Sequence, residues 1–191
     1  MSTVRTFVAI AASADTRARA AELSEVLRTC GMRVTWTRPE NLHLTLKFLG
    51  DVDEARVPVV CRSVTAAVAA VPAFTARFSG AGAFPDIRRP QTLWVGTTLG
   101  HDELCRLAAA VEQALQEVGF APEQRTFKPH LTLGRVRTGG RAQQRELSQL
   151  LAECSQFDCD TTRVCEVVVL SSQLSPSGPA YQPLGRGPLA S

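Results

Sequence analysis

The tetrapeptide His-Leu-Thr-Leu occurs twice in this chain, at residues 43–46 and 130–133, inside "NLHLTLKFLG" and "FKPHLTLGRV". Two of the three histidines sit in these copies, 87 residues apart. A shift of 87 lays further features over one another: "RTFVAI" from Arg5 on "TLWVGT" from Thr92, and "DTRARAAELSEVLRTCG" from Asp15 on "DELCRLAAAVEQALQEV" from Asp102. No gap is needed between these anchors. An internal duplication is the simplest origin of such a pattern. The period is too long for a solenoid repeat, so it predicts two similar lobes.

Local patterning fills in the lobes. Residues 4–11 alternate and are rich in β-formers, which predicts a strand; Asp15 is placed to cap a helix that runs to Cys30 and stops at Gly31. "TRPEN" reads as a turn, residues 41–49 as the next strand, 53–70 as a second helix, and "AFTARFSGAGAF" as a strand. The second half repeats the order: a strand over 91–98, a helix over 101–118 stopped by Gly119, the second HLTL strand over 130–136, and a helix over 141–152. "TTRVCEVVVLSSQ" is the longest strand signal, "AYQPL" predicts a short last strand, and "GRGPLAS" reads as a loose tail. The expected fold class is α+β: two pseudo-symmetric β-α-β-α-β lobes whose antiparallel sheets face a central cleft. The lobes would span about 1–86 and 87–183 of a single 191-residue bilobal domain, with residues 184–191 as the tail.

Bulk properties narrow the function classes. No apolar run approaches the roughly 18 residues that span a bilayer, so no membrane partner is expected. The apolar stretch at Phe7–Ala12 is short, and its duplicate lies mid-chain, so it reads as a first strand rather than a leader. Net charge is +3, which permits a nucleic-acid partner without demanding one. The six cysteines form no C-x-x-C pair and no His lies near the closest two, so a zinc site is not expected there; neither HLTL motif holds an Asp or Glu as a third ligand, and no other metal or cofactor is expected. Reduced thiols and a cytoplasmic location are the default. A monomer is expected because the pattern leaves no spare apolar face.

Side chains alternate across a strand. His43 and Thr45 therefore share one face and Leu44 and Leu46 the other, and the same holds for His130 and Thr132 against Leu131 and Leu133. The leucines can enter a core against helices, leaving two His-Thr pairs to meet across one cleft. Histidine titrates near neutrality, so one imidazole can act as general base while the other acts as general acid. Threonine hydroxyls can donate to oxygens where charge develops. Acid, base and donors around one anionic centre suit in-line displacement at phosphorus. Which histidine takes which role is not set by the pattern, since the lobes are interchangeable. The third histidine, His101, opens a helix and has no Thr partner.

Four further residues are candidates for holding substrate. Lys47 lies on the His43 face by alternation; Arg135 falls on the opposite face from His130 unless the strand bulges. Phe127 and Tyr181 can stack a base, as aromatic side chains do for single-stranded RNA. Trp36 and Trp94 read as packing residues.

At these residues the chain resembles the 2H phosphoesterase superfamily, and within it the RNA 2′,3′-cyclic phosphodiesterase branch, historically called bacterial 2′-5′ RNA ligase. "RTFVAI", "RPENLHLTLKFLGDV", "FKPHLTLGRVR" and "LSSQLSPSGPAY" carry the resemblance over nearly the whole chain. It implies hydrolysis of 2′,3′-cyclic phosphate RNA ends to 2′-phosphates without a metal. It implies His43 as proton donor to the leaving 3′-oxygen, His130 as the acceptor that activates water, and Thr45 and Thr132 on the phosphate oxygens. Ligation of RNA ends, tRNA fragments among them, would be the reverse reaction in the same site. The alternatives are a phosphodiesterase for a small cyclic nucleotide or an ADP-ribose cyclic phosphate, a non-catalytic RNA-end binding protein, and a metal-dependent hydrolase. Basic residues beyond the cleft would favour RNA; a closed pocket would favour a small ligand.

Overall fold

The computed structural model describes residues 2–175 and 178–191; Pro176 and Ser177, within the "LSSQLSPSGPAY" stretch, lie outside the described residues. The elements run β1 (Thr3–Ala11), α1 (Ala14–Arg28), β2 (Arg33–Trp36), β3 (His43–Asp53), α2 (Val57–Val68), β4 (Phe74–Phe84), β5 (Thr92–Leu99), α3 (His101–Glu117), β6 (Leu131–Thr138), α4 (Arg141–Glu153), β7 (Asp158–Val164), β8 (Glu166–Ser175) and β9 (Gly178–Pro188). The expected α+β class is what the chain forms. Every helix and nearly every strand lies where the pattern placed it. Ser13, not Asp15, is the N-cap of α1: its hydroxyl accepts from the Thr16 amide at 3.1 Å. Gly31 and Gly119 take φ of +67° and +89° just past α1 and α3, a conformation that favours glycine and ends a helix.

The strands form one antiparallel sheet in the order β7-β4-β5-β6-β3-β1-β8-β9, with β2 added along β6. This order is a palindrome of the repeat. β1 matches β5, β3 matches β6, and β8 stands beside β1 as β4 stands beside β5. The axis passes between β3 and β6, which meet at one residue pair, Leu44–Leu131. Those are the same leucine in the two copies of HLTL. The halves of the sheet do not follow the halves of the chain, because β4 joins β5 and β7, while β8 and β9 join β1.

Two expectations need correction. The long strand signal over 161–173 is two strands that part at Cys165: β7 pairs with β4 and β8 with β1, in opposite halves of the sheet. Propensity marks both segments as extended but does not choose their partners. The tail is also not loose, since residues 185–188 complete β9 and Leu189 is buried in the core.

All four helices cover one face of the sheet. α2 and α3 pack on the half made by β3, β8 and β9, and α1 and α4 on the half made by β4 and β7. Their buried residues recur every three or four positions, as in Leu104, Leu107, Val111 and Leu115 of α3. Leu44, Leu46, Leu131 and Leu133 enter this core as the alternation requires. Among the described residues no helix is long and apolar enough to cross a membrane. The six cysteines are free thiols.

Candidate active site

The uncovered face of the sheet carries the two histidines. Leu44 and Leu131 pair antiparallel, so His43 lies beside Thr132 and Thr45 beside His130. Each ring is held in the same way. His43 Nδ1 lies 2.7 Å from the Asn41 carbonyl and His130 Nδ1 lies 2.6 Å from the Lys128 carbonyl, each two residues back along the chain. A carbonyl only accepts, so Nδ1 carries the hydrogen and Nε2 is left for chemistry. The Asn41 amide donates to the Pro179 carbonyl at 2.8 Å, which ties β9 to the turn that holds His43. Thr45 and Thr132 are half-buried, and neither hydroxyl has a hydrogen-bond partner among the described residues.

Aromatic walls flank both imidazoles. Phe7 lies 5.0 Å from the His43 ring, and Tyr181 meets the same ring edge-on at 5.2 Å. Phe84 meets His130 edge-on at 5.0 Å, with Trp94 at 6.5 Å. Phe7 and Trp94 are equivalents under the 87-residue shift, so Trp94, expected only to pack, belongs to the site. The signal was present in the overlay of "RTFVAI" on "TLWVGT".

Burial holds both histidines below the usual 6.5. For His43 the bond to the Asn41 carbonyl opposes this, and the charge of His130 lowers it further. For His130 the bond to the Lys128 carbonyl opposes burial, and the Arg135 guanidinium adds to it. Each imidazole thus sits within electrostatic reach of another cation in the site.

The secondary candidates divide on one feature. β3 has an extra residue at Leu46 against β1, and β6 has one at Leu133 against β5. A bulge of this kind reverses the facing of the residues beyond it. Lys47 therefore turns to the helix side, contrary to the simple alternation. It is 6% exposed, and its Nζ donates to both Glu112 oxygens at 2.7 and 2.6 Å and to the Ala121 carbonyl at 2.9 Å. The residue equivalent to Lys47 is Gly134, where a Cβ would lie 2.7 Å from Val34 Cγ1 on β2. By the same bulge Arg135 comes round to the His130 face, where its charge acts on both His130 and Tyr181. Its equivalent, Phe48, is 59% exposed and leans on Phe7 at 5.7 Å. Arg137, two residues beyond Arg135, donates from Nε to the Thr35 hydroxyl at 2.9 Å. Neither arginine forms an ion pair among the described residues. Phe127 packs against the core and makes no ring contact with either histidine among the described residues. Tyr181 is at the site.

The sequence matches the family model described as LigT like Phosphoesterase over residues 10–94 and 99–181. The chain belongs to the LigT-like phosphoesterases. It is 33% identical over 181 residues to a Thermotoga maritima protein named RNA 2′,3′-cyclic phosphodiesterase, covering 95% of this chain and 93% of the other. A protein of the same name from Methanothermobacter thermautotrophicus is 32% identical over 178 residues, covering 93% and 95%. Among solved structures, a Thermus thermophilus protein superposes with a TM-score of 0.80 at 24% identity over 97% of each chain. Escherichia coli LigT complexed with 3′-AMP superposes with a TM-score of 0.76 at 24% identity over 98% of this chain and 99% of the other. These likenesses bear on the fold. As a LigT-like phosphoesterase the chain is a phosphate-ester enzyme of the 2H class, so the resemblance drawn from its motifs holds.

Proposed function

We propose that this LigT-like phosphoesterase opens 2′,3′-cyclic phosphates at RNA ends to 2′-phosphates, with two histidines and no metal. The reading rests on one juxtaposition: two equivalent His-Thr pairs meet at Leu44–Leu131, each imidazole anchored at Nδ1 with Nε2 free. The phosphate sits between them. His130 Nε2 takes a proton from water as the oxygen attacks phosphorus. The bond from phosphorus to the 3′-oxygen breaks, and His43 Nε2–H protonates the departing oxygen. Thr45 and Thr132 donate to the non-bridging oxygens, where charge builds. The names of the relatives support the substrate, and the 3′-oxygen as leaving group follows the motif resemblance. When a 5′-hydroxyl takes the place of water, the same ring opening forms a 2′-5′ linkage.

Arg135 and Arg137 favour RNA over a small cyclic nucleotide. They extend positive charge along β6 away from the phosphate position, which a ligand of one nucleotide does not need. In this mechanism the two imidazoles handle both protons.

The test is product analysis on a short RNA ending in a 2′,3′-cyclic phosphate, with a chelator present. Wild type should yield a 2′-phosphate end. His43→Ala and His130→Ala should each lower the rate by about 10²- to 10⁴-fold. No turnover by wild type, or turnover indifferent to both substitutions, would sink the mechanism and favour an RNA-end binding role; loss with chelator would point to a metal.

A further inference from the structure

Water attack needs no apolar surface, yet the attacking side of the site has one. Beyond His130 lies a cavity of about 230 Å³ walled by Phe84, Trp94, Pro129 and the imidazole itself, with Lys128 at its rim. The Phe84 and Trp94 rings lie 5.2 Å apart and tilted by 36°. Lys128 Nζ lies 5.9 Å from the Phe84 ring centre.

The placement of Trp94 is built rather than incidental. Its partner across the strands is Gly82, and a Cβ on Gly82 would collide with the indole ring. Its indole N–H is buried with no partner among the described residues. A phenylalanine, as at the equivalent Phe7, would carry no such burden. The wider ring is kept in place although its polar edge goes unsatisfied.

We infer that this cavity is a second nucleoside subsite, which receives the terminal nucleoside of an RNA strand bearing a 5′-hydroxyl. The inference rests on the mechanism above and adds to it the body of the acceptor. The base stacks on the Trp94 and Phe84 walls, and Lys128 meets the phosphate that comes next along the strand. The 5′-hydroxyl then points at His130 Nε2. Its proton passes to that nitrogen as its oxygen bonds to phosphorus. The bond to the 3′-oxygen breaks, and that oxygen takes the proton from His43. Phe7 and Tyr181 flank His43 on the other side, with Phe48 against Phe7, and there the nucleoside that carries the cyclic phosphate belongs.

The test supplies an RNA with a cyclic phosphate end together with a dinucleotide bearing a free 5′-hydroxyl, and measures two products. One is the 2′-phosphate from hydrolysis; the other is the 2′-5′ linked product. Their ratio is independent of how much enzyme is folded or active. Trp94→Leu should lower the ratio of linked to hydrolysed product roughly tenfold, the scale of one lost base stack, and Trp94→Phe should keep most of it. An unchanged ratio in Trp94→Leu overturns the subsite. So does hydrolysis by wild type with no linked product. Failure of wild type to hydrolyse at all overturns the mechanism instead. The subsite then stands or falls on binding: in a Trp36→Phe background, the dinucleotide should quench Trp94 fluorescence, and no quenching rejects it.

Discussion

Each imidazole donates from Nδ1 to a carbonyl two residues back, so its orientation belongs to the same turn that starts its strand. Burial then keeps the free protein's histidines neutral at pH values where an exposed histidine would be charged. Both pKa values lie below 6.5, so kcat/KM should lose activity as pH rises through the higher of the two, with the alkaline limb centred below pH 6.5. A bound phosphate favours the charged imidazoles, so the same limb in kcat should move to higher pH. Rate profiles between pH 5 and 8 check both, and a kcat/KM limb above pH 6.5 would count against the assignment. The linkage to folding has the opposite sense. The unfolded chain binds more protons between the folded-state values and 6.5, so stability rises with pH across that window and falls on acidification through it.

At the scale of elements, the bulge at the last leucine of each HLTL copy decides the fate of three residues. It sends Lys47 to the helices, makes Gly134 the place where β2 packs down on β6, and brings Arg135 to the site. Lys47 holds together β3, α3 and the segment after α3 that leads to His130. Glu112 also accepts from the Gln116 side chain and the Glu123 amide. Burial alone would raise the Glu112 carboxyl, and these donors bring it below the usual range. Lys47→Met should cost about 2–4 kcal/mol, measured by urea denaturation, because it leaves the Glu112 carboxylate without its cation; adding Glu112→Leu should restore part of that loss. A Lys47 that served substrate alone would leave stability unchanged. Simple alternation could not have placed Lys47 or decided Arg135, because a bulge is a property of two strands in register and not of one.

For the whole molecule, the palindromic strand order brings the two copies of HLTL together, 87 residues apart in the chain, at the centre of the sheet. Arg137 lies outside the His-Thr cluster, so its contribution should scale with RNA length and ionic strength. Arg137→Ala should reduce the slope of log kcat/KM against log salt by about 0.7 for an RNA of several nucleotides, the value of one phosphate contact on a single strand. An unchanged slope would place the RNA elsewhere. Much of this arrangement was legible beforehand. Two copies of HLTL, the shift of 87 and the helix periodicities carried the duplication, the α+β class, the four leucines in the core and the two His-Thr pairs. Those are local properties, in which period, capping and composition decide the outcome. The partners of β7 and β8, the pairing of residues 185–188, the turn of Lys47 and the aromatic box around His130 depend on contacts between segments far apart in the chain. No local propensity encodes which strands meet or in what register, so the tertiary structure alone decided them.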